Sequence, residues 1–239
     1  MIALAIETTT DRLSVAGGLP DRVASRIWAG ARMHAARLFP LIEAVLEELG
    51  VGLPEVSALA LADGPGSFTG LRVAAAAAKA LARAQPGLSV WTASTLLVRA
   101  ASAAPPRGAR VLVVTSALRG ELYAAMYRME LPNTVALLLA PTVAVPESLQ
   151  RERPDLLVAD APERLVDRLA NQFAVPLVRG PASLPNAAAL LGLIGVPGGA
   201  VRIEHLDGWE PHYGRPAEAQ RRWEAAHGRI LPDPANHPR

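Results

Sequence analysis

The chain of 239 residues contains no cysteine. Disulfides, thiolate metal sites and thiol nucleophiles are therefore excluded, and several enzyme classes with them. Lysine is almost missing: Lys79 is the single lysine among 24 basic residues. The rest are arginine, which with abundant Ala, Pro and Gly reads as GC-rich coding rather than a dedicated nucleic-acid surface. The formal charge is only +2, although Arg215, Arg221, Arg222, Arg229 and Arg239 gather towards the C-terminus, where they would allow weak RNA contact. No run of about 18 apolar residues escapes a charge or a breaker, so no membrane span is expected. Met1 to Glu7 lacks the basic start of a signal peptide. A cytoplasmic protein is the expectation.

Hydrophobic residues make up 51% of the chain, ample for one large or two modest cores. The most informative stretch is Ala62-Asp63-Gly64-Pro65-Gly66-Ser67-Phe68-Thr69-Gly70-Leu71-Arg72. The apolar run Val56 to Ala62 leads into it as a buried strand, and the alanine-rich run Val73 to Ala84 leads out as a helix. A helix start offers free N–H groups and a positive dipole end, and Gly64, Gly66 and Gly70 permit close approach of backbone to a ligand or to a neighbouring segment. The turn therefore suits either an anion or the packing of a helix on a sheet.

Ile2 to Ile6 reads as a first strand, Leu13 to Gly18 as its hairpin partner and Arg22 to Trp28 as a third. Glu7, Thr8 and Thr9 between the first two have the layout of a phosphate and magnesium site, and equally that of a turn with its own hydrogen bonds. Leu38 to Leu49 carries apolar residues at 38, 41, 42, 45, 46 and 49, the spacing of one helical face. Pro40 places the helix start just before it or kinks the first turn. This helix and the small-faced helix after the glycine turn could form a bundle with a partner or cover the chain's own sheet. Leu88 to Thr92 is a strand, Ala93 to Ala104 a helix and Pro105 to Gly108 a linker. Val111 restarts the pattern: strands at Val111 to Ser116, Glu121 to Tyr127 and Thr134 to Ala140, helices at Pro146 to Arg151, Pro162 to Ala170 and Ser183 to Leu193, and a strand at Leu156 to Ala159. Residues 1–104 and 109–215 thus read as two lobes of a duplicated α/β architecture, the last helix returning to the first lobe, with a disordered tail at 231–239.

The block Gly64 to Arg72, together with Leu4 to Thr8, Met33 to Ile42, Arg119 to Tyr123 and Pro211 to Arg215, resembles the TsaB (YeaZ) family over roughly residues 1 to 215. The resemblance implies the two-lobed actin-like and sugar-kinase (ASKHA) fold, with βββαβα lobes. It also implies a non-catalytic subunit in the synthesis of threonylcarbamoyladenosine in tRNA. Such a subunit pairs with a TsaD-like catalytic subunit and supports a TsaE-like ATPase; ATP and magnesium serve the complex, and tRNA is met indirectly. The implied pairing uses the first two helices, through Leu38, Leu41, Ile42, Val45, Val73 and Ala76, with His34 and Arg72 at the edge. Alone, the same helices would support a homodimer.

Departures from the family pattern weaken any nucleotide role. Glu7 stands where Asp is usual, Ser116-Ala117-Leu118 where Asp-Ala-Arg is usual, and Gly214 where leucine is usual. Without a second opposed carboxylate, Glu7, Thr8, Thr9, Gly64, Gly66, Ser67 and Thr69 would form only a degenerate nucleotide site. A pseudo-enzyme is expected. An active ATPase or kinase of this fold is the main rival, although the turn is not a Walker loop, since Thr69 and Gly70 stand where its Gly and Lys would be. A metallopeptidase lacks paired histidines, and a serine hydrolase lacks its elbow, because Pro65 and Thr69 replace the glycines around Ser67.

Overall fold

The computed structural model describes residues 1–30, 32–117, 120–214 and 226–228. Near-continuous apolar runs make the central strands, because strands covered on both faces have no solvent side to keep polar. In chain order the elements are β1 (Ala3–Glu7), β2 (Arg12–Gly18), β3 (Val23–Ala29), α1 (His34–Leu49), β4 (Ala58–Ala62), α2 (Phe68–Ala84), β5 (Ser89–Ala93) and α3 (Thr95–Ser102). They continue with β6 (Ala109–Ser116), β7 (Leu122–Glu130), β8 (Thr134–Ala144), β9 (Leu156–Asp160), α4 (Glu163–Phe173), β10 (Leu177–Val178), α5 (Ala187–Leu191) and β11 (Val201–Arg202).

Two sheets result, ordered β11-β5-β4-β1-β2-β3 and β10-β9-β6-β7-β8. Each pairs its first three strands antiparallel and joins its later core strands in parallel. The expected α/β fold with a repeated three-strand unit is what the chain forms. The repeat is approximate: where the first unit has α1, the second has one 3-10 turn, Pro146–Leu149. α1 and α2 cover the outer face of the first sheet, packing Leu38, Ile42, Val45, Ala74 and Ala78 against Leu4, Ile6, Leu13 and Leu59. α3 and α5 fill the space between the sheets, and α4 backs the second sheet. Late in the 109–215 span, α5 packs with β1 and β2, and β11 pairs with β5.

Three expectations change. α1 begins at His34, so Pro40 sits inside the helix rather than in its first turn. The helix start is fixed instead by the His34 ring, whose Nε2 lies 2.8 Å from the Thr10 carbonyl oxygen. The helix expected over Ser183 to Leu193 is broken into a 3-10 turn, Gly180–Ser183, and the short α5. Pro185 drives Leu184 into extended backbone, and Asn186 then caps α5 by accepting from the Ala189 N–H at 2.8 Å. The helix expected at Pro146 to Arg151 is only the 3-10 turn. The tail at 231–239, the C-terminal arginines Arg215, Arg221, Arg222, Arg229 and Arg239, and Leu118 and Arg119 lie outside the described residues. Among the described residues, no helix is long and apolar enough to cross a membrane.

One buried cation ties the sheets. Arg99 on α3, with a side chain 5% exposed, bonds Asp160 Oδ2 at the end of β9 and the Ser183 carbonyl, both at 2.8 Å. Arg12 at the start of β2 adds a bond to the Pro185 carbonyl at 2.9 Å. Removing Arg99 strands the buried Ser183 carbonyl and breaks a charge pair. Arg99→Met should lower unfolding free energy by about 3 kcal/mol in urea titrations, and an unchanged midpoint would refute the tie.

Candidate functional site

The end of β1, the turn that follows it and the start of α2 are built against one another. Ser67 caps α2 by accepting from the Gly70 N–H at 3.2 Å, while its own N–H bonds the Thr9 carbonyl at 2.7 Å. The Thr8 hydroxyl donates to the Gly70 carbonyl at 2.8 Å. A Cβ on Gly70 would lie 1.9 Å from the Thr8 carbonyl oxygen, and one on Gly66 would lie 2.5 Å from Thr9 Cβ. Gly64, at φ +112°, faces the His212 carbonyl, 2.0 Å from where a Cβ would stand. These glycines make room for the chain's own backbone. Glu7, Thr8, Thr9, Gly64, Gly66 and Ser67 do come together, whereas Thr69 is exposed on the first turn of α2.

Glu7 is fully buried. Its Oε1 accepts from the Thr9 N–H at 2.7 Å and from the Thr9 hydroxyl; Oε2 has no hydrogen-bond partner among the described residues. Burial pushes its carboxyl up to about 7, against the pull of the Thr9 bonds and of the Arg99 and Arg12 charges. A carboxyl only half ionised near neutral pH, with one oxygen already engaged, is a weak starting point for holding a metal. Among the described residues, no group of three or more His, Asp or Glu is placed to hold one.

Sequence reasoning missed two acids beside this turn. Asp63 is pushed up to about 6 by burial, opposed by the His212 charge and a Thr92 hydrogen bond. Tyr127 lies near it, its phenol raised to about 12 by burial. Asp160 pairs in register with Thr115, next to the Ser116 position where an acid was sought, but on the neighbouring strand. The signals were present: Asp63 immediately precedes the glycine turn and Asp160 ends a strand.

The expected pairing face needs correction. Leu38, Ile42 and Val45 are 1%, 2% and 0% exposed and belong to the chain's own core. Leu41 and Val73 pack partly against that core, and His34 is buried on the Thr10 carbonyl. Leu38, Ile42 and Val45 are used up in covering the sheet and are not free for a partner, whereas Leu41 and Val73 keep part of their surface open. Arg72 and Ala76 remain exposed, and the apolar surface left on these helices comes from Phe39 and Phe68, with Met33 just ahead of α1. A surface hollow of about 340 Å³, lined by Lys79, Arg83, Glu204 and Asp207 among others, includes none of the expected site residues.

A sequence profile of TsaD, tRNA N6-adenosine threonylcarbamoyltransferase, matches residues 23–171. The solved structure of YeaZ from Pseudomonas aeruginosa superposes with a TM-score of 0.66 at 31% identity, covering 81% of this chain and 90% of that one. The chain belongs to the TsaB/YeaZ family. A second solved structure, a Pseudomonas aeruginosa protein described as similar to peptidase YEAZ, gives a TM-score of 0.74 at 29% identity, covering 90% of this chain and 99% of that one. The tRNA threonylcarbamoyladenosine biosynthesis protein TsaB of Escherichia coli is 37% identical over 131 residues, 54% of this chain. The matched stretch spans only 56% of that relative.

Two predictions test this site. Gly70→Ala should cost about 3 kcal/mol, since the Thr8 backbone must move, whereas Gly208→Ala, with open space around it, should be neutral; equal effects in denaturant titrations would refute the packing role. For Glu7, the folded carboxyl holds its proton up to about 7 against an ordinary value of 4.5. The folded state therefore binds more protons than the unfolded chain in that window, and stability falls as pH rises from 4.5 to 7, then levels off. Glu7→Gln should match the parent near pH 4.5 and exceed it by about 3 kcal/mol at pH 8. A stability difference independent of pH would refute it.

Proposed function

We propose that this chain is a non-catalytic subunit of the tRNA threonylcarbamoyladenosine synthesis complex. In this reading it pairs with a TsaD-like catalytic subunit through the exposed side of α1 and α2, and the pair supports a TsaE-like ATPase. ATP and magnesium act elsewhere in the complex, tRNA is contacted indirectly, and the work is done in the cytoplasm. The observation that carries the reading is how far the turn satisfies itself: the hydroxyls of Thr8 and Thr9 and the N–H groups of Gly64, Ser67 and Gly70 bond the chain's own atoms, and Gly66 is packed against Thr9. Backbone N–H groups and hydroxyls that already have partners gain nothing from a phosphate.

The rival ATPase reading has one point in its favour, the unpartnered Glu7 Oε2. Calorimetry separates the two: the isolated chain should show no micromolar binding of ATP with magnesium, and micromolar affinity would establish the rival. Pairing is tested with the TsaD-like subunit of the same organism. Ala76→Glu, on the exposed side of α2, should abolish a complex that the parent chain forms at micromolar concentration, because it places an unpaired charge in an apolar contact. Its melting temperature should stay unchanged. Retained pairing would move the interface off α2, and a homodimer that survives Ala76→Glu would do the same for self-association.

A further inference from the structure

Arg72, on the second turn of α2, is an exposed arginine set against two aromatic rings. Its guanidinium lies 4.0 Å from the Phe68 ring centroid and 5.9 Å from that of Tyr213, and the two rings are 4.9 Å apart. Tyr213 arrives from the other end of the described chain. Its hydroxyl bonds Glu210 at 3.3 Å, and Glu210 in turn pairs with Lys79 at 3.2 Å, two turns further along α2. The Lys79 ammonium also reaches the Asp207 carbonyl at 3.3 Å, and Arg83 pairs with the Asp207 side chain at 3.5 Å. Residues 207–213 therefore lie along α2 as a strap that delivers Tyr213 to Arg72. Gly214 lets the strap end pass closely: at φ +77°, its Cβ would stand 2.9 Å from Pro65 and from the Tyr123 ring.

The other cations of this face are satisfied, Lys79 by Glu210 and Arg83 by Asp207. Arg72 has no hydrogen-bond or ion-pair partner among the described residues, and the nearby strap acids are committed to those two cations. Two rings hold its plane while the described residues leave its N–H groups unpaired, which is preorganisation for a planar anion that accepts two hydrogen bonds.

We infer that Arg72, framed by Phe68 and Tyr213, is a recognition residue that takes a carboxylate side chain from a protein partner seated on the exposed face of α2. The surroundings favour a protein over a nucleic acid. Phe68 is 43% exposed, and Ala76 and Ala80 are open on the same helix. An arginine set among aromatic and small side chains matches the core of a protein interface, and among the described residues of α2 no second unpaired cation stands with it, as a phosphate backbone would call for. A partner covering Phe68 would also desolvate the guanidinium, so it must bring an anion to it. The inference rests on the pairing proposed above and adds the chemistry of its contact.

The test uses the full chain and the TsaD-like subunit of its organism, with dissociation constants measured by calorimetry at low and high salt. Arg72→Gln should weaken pairing by about 30-fold, flatten its salt dependence and leave the melting temperature in place, since the side chain is exposed. Arg72→Lys should recover only part of the loss, because it keeps the charge and loses the fork. Tyr213→Ala should also weaken pairing, by releasing the guanidinium. If Arg72→Gln pairs within twofold of the parent, the carboxylate contact is wrong and the pairing itself stands. If the parent chain does not pair at all, the proposed function falls and this inference with it. If pairing is intact and Arg72→Gln instead loses affinity for tRNA, the surface reads RNA and the inference is overturned.

Discussion

The structure depends on a backbone contact: the Thr8–Thr9 turn lies against Gly66 and Gly70 with no room for a single methyl group between them. Three hydrogen bonds are organised by that contact, from the Thr8 hydroxyl to Gly70, from the Ser67 N–H to Thr9, and from the Gly70 N–H to the Ser67 hydroxyl. Together they fix where α2 begins relative to β1, and so how its alanine face meets the sheet. Small side chains on α2 are the consequence, since Ala74, Ala77 and Ala78 are buried where the helix lies on the sheet.

Beneath this contact lies a concentration of charge unusual for an interior. Glu7 is fully buried, Arg99 nearly so, and Arg12 and Asp160 close the group at the sheet ends. Buried charges are costly, and each arginine is offset by carbonyls of the Ser183–Pro185 segment as much as by acids. The second lobe is therefore held to the first by polar bonds of defined direction as well as by the apolar packing of α3 and α5. A one-residue shift of Ser183 to Pro185 would leave the guanidinium groups unpaired, which makes this junction specific rather than merely adhesive.

Much of this was legible from sequence, and the misses share a cause. The strand, glycine turn and helix at 58–84 were readable because Gly and Pro punctuate the chain at fixed places and apolar runs mark buried strands. The restart at Val111 was readable for the same reason. The partners of α1 were not: spacing at Leu38, Ile42, Val45 and Leu49 says that one face is covered without saying what covers it, and the answer is β2 and β3. β10 and β11 have two residues each, too few for any period to show. Asp63 and Asp160 were not singled out, because the burial of the first and the pairing of the second with Arg99 depend on elements distant in sequence. The glycines pointed to a close approach but not to the thing approached, and the nearest atoms prove to be Thr8, Thr9 and His212.

The same connections join the outer face of α2 to the junction between the sheets. Phe68 sits on the first turn of α2, whose backbone is bonded to Thr8 and, through its cap, to Thr9, and Arg72 stands one turn on; Thr9 holds Glu7; and Glu7 feels the charges of Arg99 and Arg12, which carry the bonds to Ser183 and Pro185. The strap adds a second route, from Tyr213 back through the His212 N–H to the Asp63 carbonyl at 2.7 Å. The second route is made of hydrogen bonds, whereas the first passes from Glu7 to Arg99 and Arg12 only through the attraction of charges. Moving the start of α2 would therefore break its bonds to Thr8 and Thr9 and disturb the surroundings of Glu7, whose ionisation is tied by charge to the arginines of the lobe junction.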